Sequence, residues 1–357
     1  MKKYFIYAAF SLAVILAVAS CQQVIDTPSA QLEQGSISID IAPSRDPGVT
    51  KAVTAYTTLQ TYESQVNKVQ IFVFDASGRI NIYKNLGTSL SGTVSTTAGA
   101  KTVWAVVNGP DLSSVATQDA LKATVLDLSA NSTTAATGFV MAGSGSCTVA
   151  GGSSVPCSFS VSRLCARVAL VSVTNNLPAS YGSITFDRVF LSNVVGNQNL
   201  AGTAAASTWY NKQGRKDEAT QVTDHIIDGS TYVASCPALT FRTVGQAVAA
   251  GATHTPAIPY LFYTYPNSAT AAPSGFSASF SAQRTVLTVV ATISGTRYYY
   301  PVVLDDALVE RNKCYTVGLT ITGLGSTDPN TPVSKGSINV SLTVAGWTAG
   351  ATYDEVI

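Results

Sequence analysis

Charged residues are scarce in this chain of 357 residues: Asp, Glu, Lys and Arg together make up only 11%. The 21 Lys and Arg residues nearly balance the 20 Asp and Glu residues, so the basic footprint of a nucleic-acid-binding protein is missing. Only two histidines occur, and neither a Gly-x-Ser-x-Gly elbow nor a phosphate-cradling glycine loop before a helix is present. These absences argue against nucleic-acid binding and against an enzyme.

The sequence also contains no long helical pattern after its first 21 residues. Ser, Thr, Ala, Gly and Val take the place of a helix-forming mixture, and short apolar segments are separated by Gly, Pro and Asn. Many short strands with regular turn signals are typical of β-sandwiches, and the length fits two of them. We therefore predict an all-β fold with two sandwich domains.

The amino terminus has the pattern of an export signal. Lys2 and Lys3 precede an apolar run over residues 5–18, which is too short to span a bilayer comfortably. The run ends in Val-Ala-Ser before Cys21, which resembles a bacterial lipobox. We expect Cys21 to carry a lipid that tethers the precursor to a membrane; the alternative is an ordinary signal that happens to precede a cysteine.

Five cysteines remain after Cys21, and an odd number leaves at least one thiol unpaired within the chain. They are Cys147, Cys157, Cys165, Cys236 and Cys314. Cys147 and Cys157 flank a Gly/Ser-rich loop, so they are candidates for a disulfide in an oxidising compartment. Burial as small apolar side chains explains them equally well.

Two segments near the chain ends share one strand pattern. Each alternates aliphatic with polar residues at a period of two, which predicts a strand with one apolar face. The aliphatic positions are Ile37, Ile39 and Ile41 in the first segment and Ile338, Val340, Leu342 and Val344 in the last. The last segment follows a polar, breaker-rich connector, so it is either the final strand of its own sheet or a strand donated to another copy.

A breaker-rich loop with basic residues follows the first of these strands. Arg45 and Lys51 lie in it, and such loops are typical sites for trypsin-like proteases. Cleavage there would remove the strand over 36–42 and open a sheet edge that accepts another strand. Repeated head-to-tail, such an interface builds an open filament.

Other candidate sites are weaker. Asp224, His225 and Asp228 are the only candidate metal cluster, but they stand in a polar segment that favours a solvated loop. The tyrosines at 298–300 and the pair at 209–210 are candidate sugar-stacking residues, although cross-strand packing explains aromatic residues in a strand better. We predict no catalytic residue, no metal and no cofactor.

Several short motifs, in order along the chain, resemble those of the type V pilins, or fimbrillins, of Gram-negative anaerobes. They are Cys21 and the segments 68–74, 163–169, 300–304, 310–323 and 344–347. The resemblance implies two transthyretin-like β-sandwich domains in tandem, export as a lipoprotein, proteolytic removal of the first strand and polymerisation by strand exchange.

Carried over by position, the resemblance divides the chain into five parts. They are a signal peptide (1–20), a propeptide with the first strand (21–51), an amino-terminal sandwich (52–162), a carboxy-terminal sandwich (163–336) and a donor segment (337–357). Cleavage is expected between Lys51 and Ala52, with Arg45–Asp46 as the alternative. Ile37, Ile39 and Ile41 would form a plug, and the donor residues would be Ile338, Val340, Leu342, Val344 and Trp347.

We expect a structural shaft subunit of a surface fimbria that supports adhesion, made as a precursor anchored in the outer membrane by its lipid. Its partners would be further copies of itself, accessory fimbrial subunits and a processing protease. An accessory tip or anchor subunit is one alternative. A monomeric carbohydrate-binding surface lipoprotein is another.

Overall fold

The computed structural model describes residues 33–43, 56, 58–211, 237–268, 284–304, 308–329, 333 and 336–347. Regular structure in these ranges is almost entirely β-strand, with three short α-helices and two 3-10 turns. Among the described helices, none is long and apolar enough to cross a membrane.

The elements up to residue 163 are eight strands with two helices and one 3-10 turn between them. The strands are β1 (Gln34–Pro43), β2 (Val69–Phe74), β3 (Ile80–Asn85), β4 (Ser91–Thr97), β5 (Gly99–Val107), β6 (Val125–Asp127), β7 (Met141–Val149) and β8 (Ser154–Arg163). The helical elements are α1 (Thr61–Ser64), α2 (Gln118–Ala123) and the 3-10 turn Leu128–Ala130. The segment 121–128, whose sequence fits a short helix and a short strand equally well, holds the end of a helix, a short strand and the start of a 3-10 turn.

The elements after residue 163 are twelve strands, a third helix and a second 3-10 turn. The strands are β9 (Ala166–Asn175), β10 (Ile184–Ser192), β11 (Val194–Val195), β12 (Asn197–Asn199), β13 (Trp209–Tyr210), β14 (Phe241–Val248), β15 (Thr253–His254), β16 (Tyr260–Thr264), β17 (Val286–Ile293), β18 (Thr296–Val303), β19 (Lys313–Ile321) and β20 (Ile338–Gly346). The other two elements are the 3-10 turn Ala179–Tyr181 and α3 (Pro237–Thr240).

Seven of the first eight strands form one sheet that folds over on itself. Its order is β3-β2-β5-β7-β8-β1-β4, and the fold lies between β7 and β8. Apolar residues of β1, such as Ile39, share one core with Ile71 of β2 and Val103 of β5. The two ends of the sheet therefore face each other and enclose this core as a sandwich.

Glycine makes the close contact of β7 with β8 possible. The sequence pattern of the glycine-rich stretch 142–146 predicts a flexible turn, but the stretch lies inside β7. A Cβ added at Gly143 would stand 2.0 Å from the carbonyl oxygen of Ser160 on β8. Any side chain here would push the two strands apart, so the glycine marks a close backbone approach rather than a turn.

Replacing Gly143 by Ala is therefore expected to destabilise the fold by about 1–3 kcal/mol, in line with other overpacked sites. Gly336 is the matched control, because nothing lies within 4 Å of a Cβ added there. Urea unfolding of both Ala variants measures the difference. Equal stability of the two variants would contradict the close approach.

Two sheets form the second part of the chain. One has the order β14-β10-β17-β18; in the other, β19 lies between β9, with which it is parallel, and β20, with which it is antiparallel. Val168 of β9, Phe186 of β10 and Val289 of β17 belong to one core, so the two sheets pack face to face. β20 stands at the end of its sheet.

The larger core continues from the second part into the first. It includes Phe72 and Phe74, whose neighbours Ile71 and Val73 point to the other core, so β2 is buried on both faces. β6 also pairs with β12 across the two parts. The predicted all-β sandwich fold is confirmed. The division at 162/163 into two transthyretin-like domains stays a prediction.

Candidate functional site

β1 lies between β8 and β4 in the first sheet, and it is the strand that connects these two in the order of the sheet. It pairs antiparallel with β4 and parallel with β8. Ile37, Ile39 and Ile41 are all at most 3% exposed, whereas Ser38 and Asp40 between them are exposed. The alternation expected from the sequence is thus present, and its apolar edge fills the core of the first sandwich.

Removing β1 would leave a slot between β8 and β4 rather than a single open edge. β4 would stay near its place, because side chains of β3 hold it: Lys84 Nζ donates to the carbonyl oxygen of Thr93 at 2.9 Å, and Thr97 Oγ1 donates to Asn81 Oδ1 at 3.0 Å. Both walls of such a slot would present unpaired backbone groups to another strand.

The last strand, β20, is docked in its own sheet. It pairs with β19 over nine residues, from Ile321 opposite Ile338 to Lys313 opposite Gly346. The predicted donor positions on it are only partly covered: Val340 is 40% exposed, and Ile338, Leu342 and Val344 are half-buried against the larger core. The strand therefore keeps part of its apolar edge in solvent.

The connector before β20 is more firmly held than its composition predicts. The backbone N–H of Thr322 and that of Gly323 both donate to the carbonyl oxygen of Ser337, which closes a hairpin between β19 and β20. Ser326 bridges to Tyr299 of β18 through two backbone hydrogen bonds. Release of β20 therefore requires the backbone hydrogen bonds between β19 and Ser337 to break, in addition to rotation within the connector.

Trp347 stands apart from the other predicted donor residues. It is fully buried where the two parts of the chain meet, between the rings of Phe139 and Tyr263, with centroids 5.7 and 5.6 Å away. The guanidinium of Arg163 lies 4.6 Å over its ring and donates to its carbonyl oxygen at 2.9 Å. The tail is therefore anchored at Trp347, unlike the half-exposed face that precedes it.

A buried ion pair beside Trp347 holds the chain that follows the predicted cleavage loop. Glu63 of α1 and Arg167 of β9 are both fully buried and 2.8 Å apart. Arg167 also donates to the carbonyl oxygens of Tyr56 and Thr58. Tyr56 and the segment 58–64 are thus fastened to β9 and lie next to Trp347.

Tyr263 completes this cluster. Its hydroxyl donates to Glu63 Oε1 at 2.6 Å. Burial, together with the negative charge of Glu63, raises the pKa of Tyr263 well above its usual value, so the hydroxyl keeps its proton and remains a donor. We define the junction cluster as Glu63, Arg163, Arg167, Tyr263 and Trp347.

Sequence reasoning missed the junction cluster as a unit. Arg163 and Arg167 stood in a recognised motif, and their presence in an otherwise apolar segment was the available signal. Their partner Glu63 precedes Arg167 by 104 residues in the chain, so no local pattern links them.

Some of the remaining predicted sites lie among the residues that the structure describes, and the others lie outside them. Cys21, the cleavage positions Arg45, Asp46, Lys51 and Ala52, and the candidate cluster Asp224, His225 and Asp228 lie outside. Elsewhere, the described part of the chain contains no group of three or more His, Cys, Asp or Glu side chains that could hold a metal. Tyr299 and Tyr300 are buried, and the Tyr300 hydroxyl donates to the carbonyl oxygen of Gly323, so neither offers an open stacking face.

The fold and strand pairings define the class as an all-β sandwich protein whose first strand is an inner strand. Residues 36–156 match the family described as major fimbrial subunit protein (FimA). The predicted resemblance to the type V pilins, or fimbrillins, is thereby confirmed over these residues. A search of curated proteins finds no match.

Solved structures with this fold include a fimbrilin (FimA) from Porphyromonas gingivalis W83, with a TM-score of 0.61 and 15% identity over 90% of this chain and 99% of that one. A candidate cell adhesion protein from Parabacteroides distasonis ATCC 8503 has a TM-score of 0.59 and 17% identity over 89% and 100%. The tip fimbrial protein Mfa3 from P. gingivalis, with a carboxy-terminal truncation, has a TM-score of 0.52 and 13% identity over 88% of this chain and 100% of that one. The family match and the shared fold support a role as a fimbrial subunit.

Proposed function

We propose that this protein is a fimbrial shaft subunit that polymerises by strand exchange. Proteolysis removes β1, and the tail strand of a second copy enters the slot between β8 and β4. The observation that carries the proposal is the position of β1, an inner strand with three buried isoleucines that is followed directly by the predicted cleavage loop. Repetition of this contact gives a head-to-tail filament.

The precursor is stable against spontaneous exchange because β1 is deeply buried. Three isoleucine side chains at roughly 1.5–3 kcal/mol each contribute about 5–9 kcal/mol before entropy is subtracted. Two backbone ladders add to this. Cutting the chain after Lys51, or after Arg45, lets the strand leave as a separate peptide. Until then the lipid at Cys21 keeps the subunit at the outer membrane, and the plug keeps it monomeric.

β20 is suited to replace β1. It has nine residues against the ten of β1, and its aliphatic side chains recur at the same period of two. In its own sheet β20 pairs with one strand, β19, whereas the slot offers two. Exchange therefore adds a ladder and buries a half-exposed apolar face. The incoming strand must run parallel to β8 and antiparallel to β4, as β1 does.

Trp347 opposes this exchange. Because the tail can leave only as a whole, the indole must withdraw from the junction cluster, where it packs between aromatic rings. Its Nε1 is buried without a hydrogen-bond acceptor among the described residues, which lowers the barrier somewhat. The tail docked on its own subunit is thus a metastable state of the donor strand, and it detaches when the slot of another copy is available.

Limited proteolysis tests the proposed function directly. Trypsin is added to the precursor without its signal peptide, the new amino terminus is sequenced, and the product is followed by gel electrophoresis and light scattering. We expect a new terminus at Ala52 or Asp46 and ladders that lengthen with protein concentration. A variant with Lys51 and Arg45 both changed to Gln should remain monomeric.

A fully cut protein that stays monomeric at high concentration would contradict the shaft proposal. Within the fimbrillins it would favour an accessory tip or anchor subunit. The half-exposed apolar face of β20 favours the shaft subunit over these. The burial of Tyr299 and Tyr300 disfavours the carbohydrate-binding alternative.

A further inference from the structure

The hairpin of β7 and β8 brings two cysteines face to face. The pairs Met141–Arg163 and Ala142–Ser162 set its register. If this register continues along both strands, one residue forward on β7 for each residue backward on β8, Cys147 stands opposite Cys157. A Cβ added at Gly145 would contact the Phe159 side chain, as this register requires for the preceding pair on the same face.

The two thiols belong to the same core. Cys157 lies in the core of the first sandwich, Cys147 packs against that core, and neither is in a disulfide. Residues directly opposite in antiparallel strands have Cα atoms about 4.5–5.5 Å apart, within the roughly 4.4–6.8 Å that a disulfide spans. Two cysteines that this register places opposite each other can therefore be joined.

The two cysteines differ in access to solvent. Cys157 is 3% exposed, in the same core as Ile39, its register partner on β1. Cys147 is half-buried and lines a surface depression of about 270 Å³, together with Lys101 of β5. A small reagent can therefore reach Cys147 first.

We propose that Cys147 and Cys157 form a cross-strand disulfide in the exported protein, by exchange with an organic disulfide such as oxidised glutathione or an oxidised thiol oxidoreductase. The Cys147 thiolate attacks one sulfur of the reagent, a mixed disulfide forms, and one reagent thiolate leaves. The sulfur of Cys157, after losing its proton, attacks the Cys147 sulfur and releases the second thiolate. Two electrons and two protons pass from the protein to the reagent, which becomes two thiols.

The reaction should be faster at alkaline pH. Burial raises the pKa of Cys147 above its ordinary value, and burial with the neighbouring Cys147 raises the pKa of Cys157 to about 12. Thiolates are therefore rare at neutral pH, and their fraction grows with pH. The disulfide would fasten β8 to β7 across the folded corner of the first sheet.

Peptide mapping tests this inference without reference to polymerisation. The full chain without its signal peptide is incubated with oxidised glutathione, quenched in acid, unfolded and alkylated. Both cysteines fall in one tryptic peptide, residues 123–163, and Cys165 falls in another, residues 164–167. We expect the first peptide to lose both alkylation sites and two hydrogen atoms of mass, while Cys165 is alkylated as before.

Two variants check the order of events. Cys157→Ser should trap glutathione on Cys147, and Cys147→Ser should leave Cys157 a free thiol. The reaction is run at about pH 8.5, close to the ordinary cysteine pKa. If both thiols in peptide 123–163 persist there in the presence of oxidised glutathione, the proposal is overturned. A disulfide that joins either cysteine to Cys165, Cys236 or Cys314 would overturn it as well.

Discussion

Replacing Val340 by Asp is expected to stop assembly of the cleaved subunit while leaving the monomer folded. Val340 is 40% exposed in the monomer, so the new carboxylate there keeps its water. In the slot the same face of the donor strand meets the core that now holds Ile39, which is 1% exposed. An unpaired charge buried there costs roughly 3 kcal/mol or more, which lowers the association constant by about a hundredfold or more.

Asn339→Asp is the matched control for this variant. It adds the same charge one residue away, at an exposed position on the opposite face of β20. Both cleaved variants are compared with the unchanged protein by sedimentation velocity, and circular dichroism checks that both monomers are folded. Normal polymerisation of the Val340 variant would mean that this face of β20 does not enter the slot.

Replacing Glu63 by Gln should have the largest effect on the stability of the subunit. The change leaves Arg167 charged and fully buried without its carboxylate, and the Tyr263 hydroxyl then donates to a neutral amide oxygen in place of a carboxylate. Breaking one side of a buried ion pair typically costs about 3–5 kcal/mol. Urea unfolding of the uncut precursor measures the loss, and Glu310→Gln, at an exposed position, is the control.

A second substitution separates the ion pair from mere loss of packing. Arg167→Met in the Glu63→Gln background removes the stranded charge and keeps an unbranched side chain of similar length. If the pair is responsible, the double variant is more stable than the sum of the single losses predicts, as a double-mutant cycle measures. Strict additivity, or a loss no larger than that of Glu310→Gln, would show that the junction cluster does not hold the fold together.

Local patterns predicted the strands at both ends of the chain correctly. The alternation of Ile37, Ile39 and Ile41 with polar residues corresponds to an inner strand with one buried edge, because side chains in a strand point to opposite faces in turn. The same reasoning placed a strand over 338–344. It was wrong for the glycine-rich stretch 142–146, where glycine serves a close approach of two strands and not a turn.

Local patterns carried no information on which strands become neighbours. That Ile39 lies beside Cys157 and Gly92, or that Val340 lies beside Leu319, depends on hydrogen-bonded ladders between distant segments. The predicted role of Trp347 shows the same limit. Its position in the chain suggested one more donor residue. In the structure its indole packs against the ring of Tyr263 on β16 and against the guanidinium groups of Arg167 on β9 and Arg163 at the end of β8.

The sequence by itself determined the all-β class and the two strands with one apolar edge, since each depends on residues close together in the chain; the export signal stays a prediction. Only the tertiary structure decided that β1 is an inner strand, that β20 is a docked end strand and that Glu63 meets Arg167. The physical reason is that ladder partners, burial and ion pairs depend on contacts between separate segments of the chain, which lie 104 residues apart in the case of Glu63 and Arg167, and no period of two or spacing of motifs encodes which segments meet.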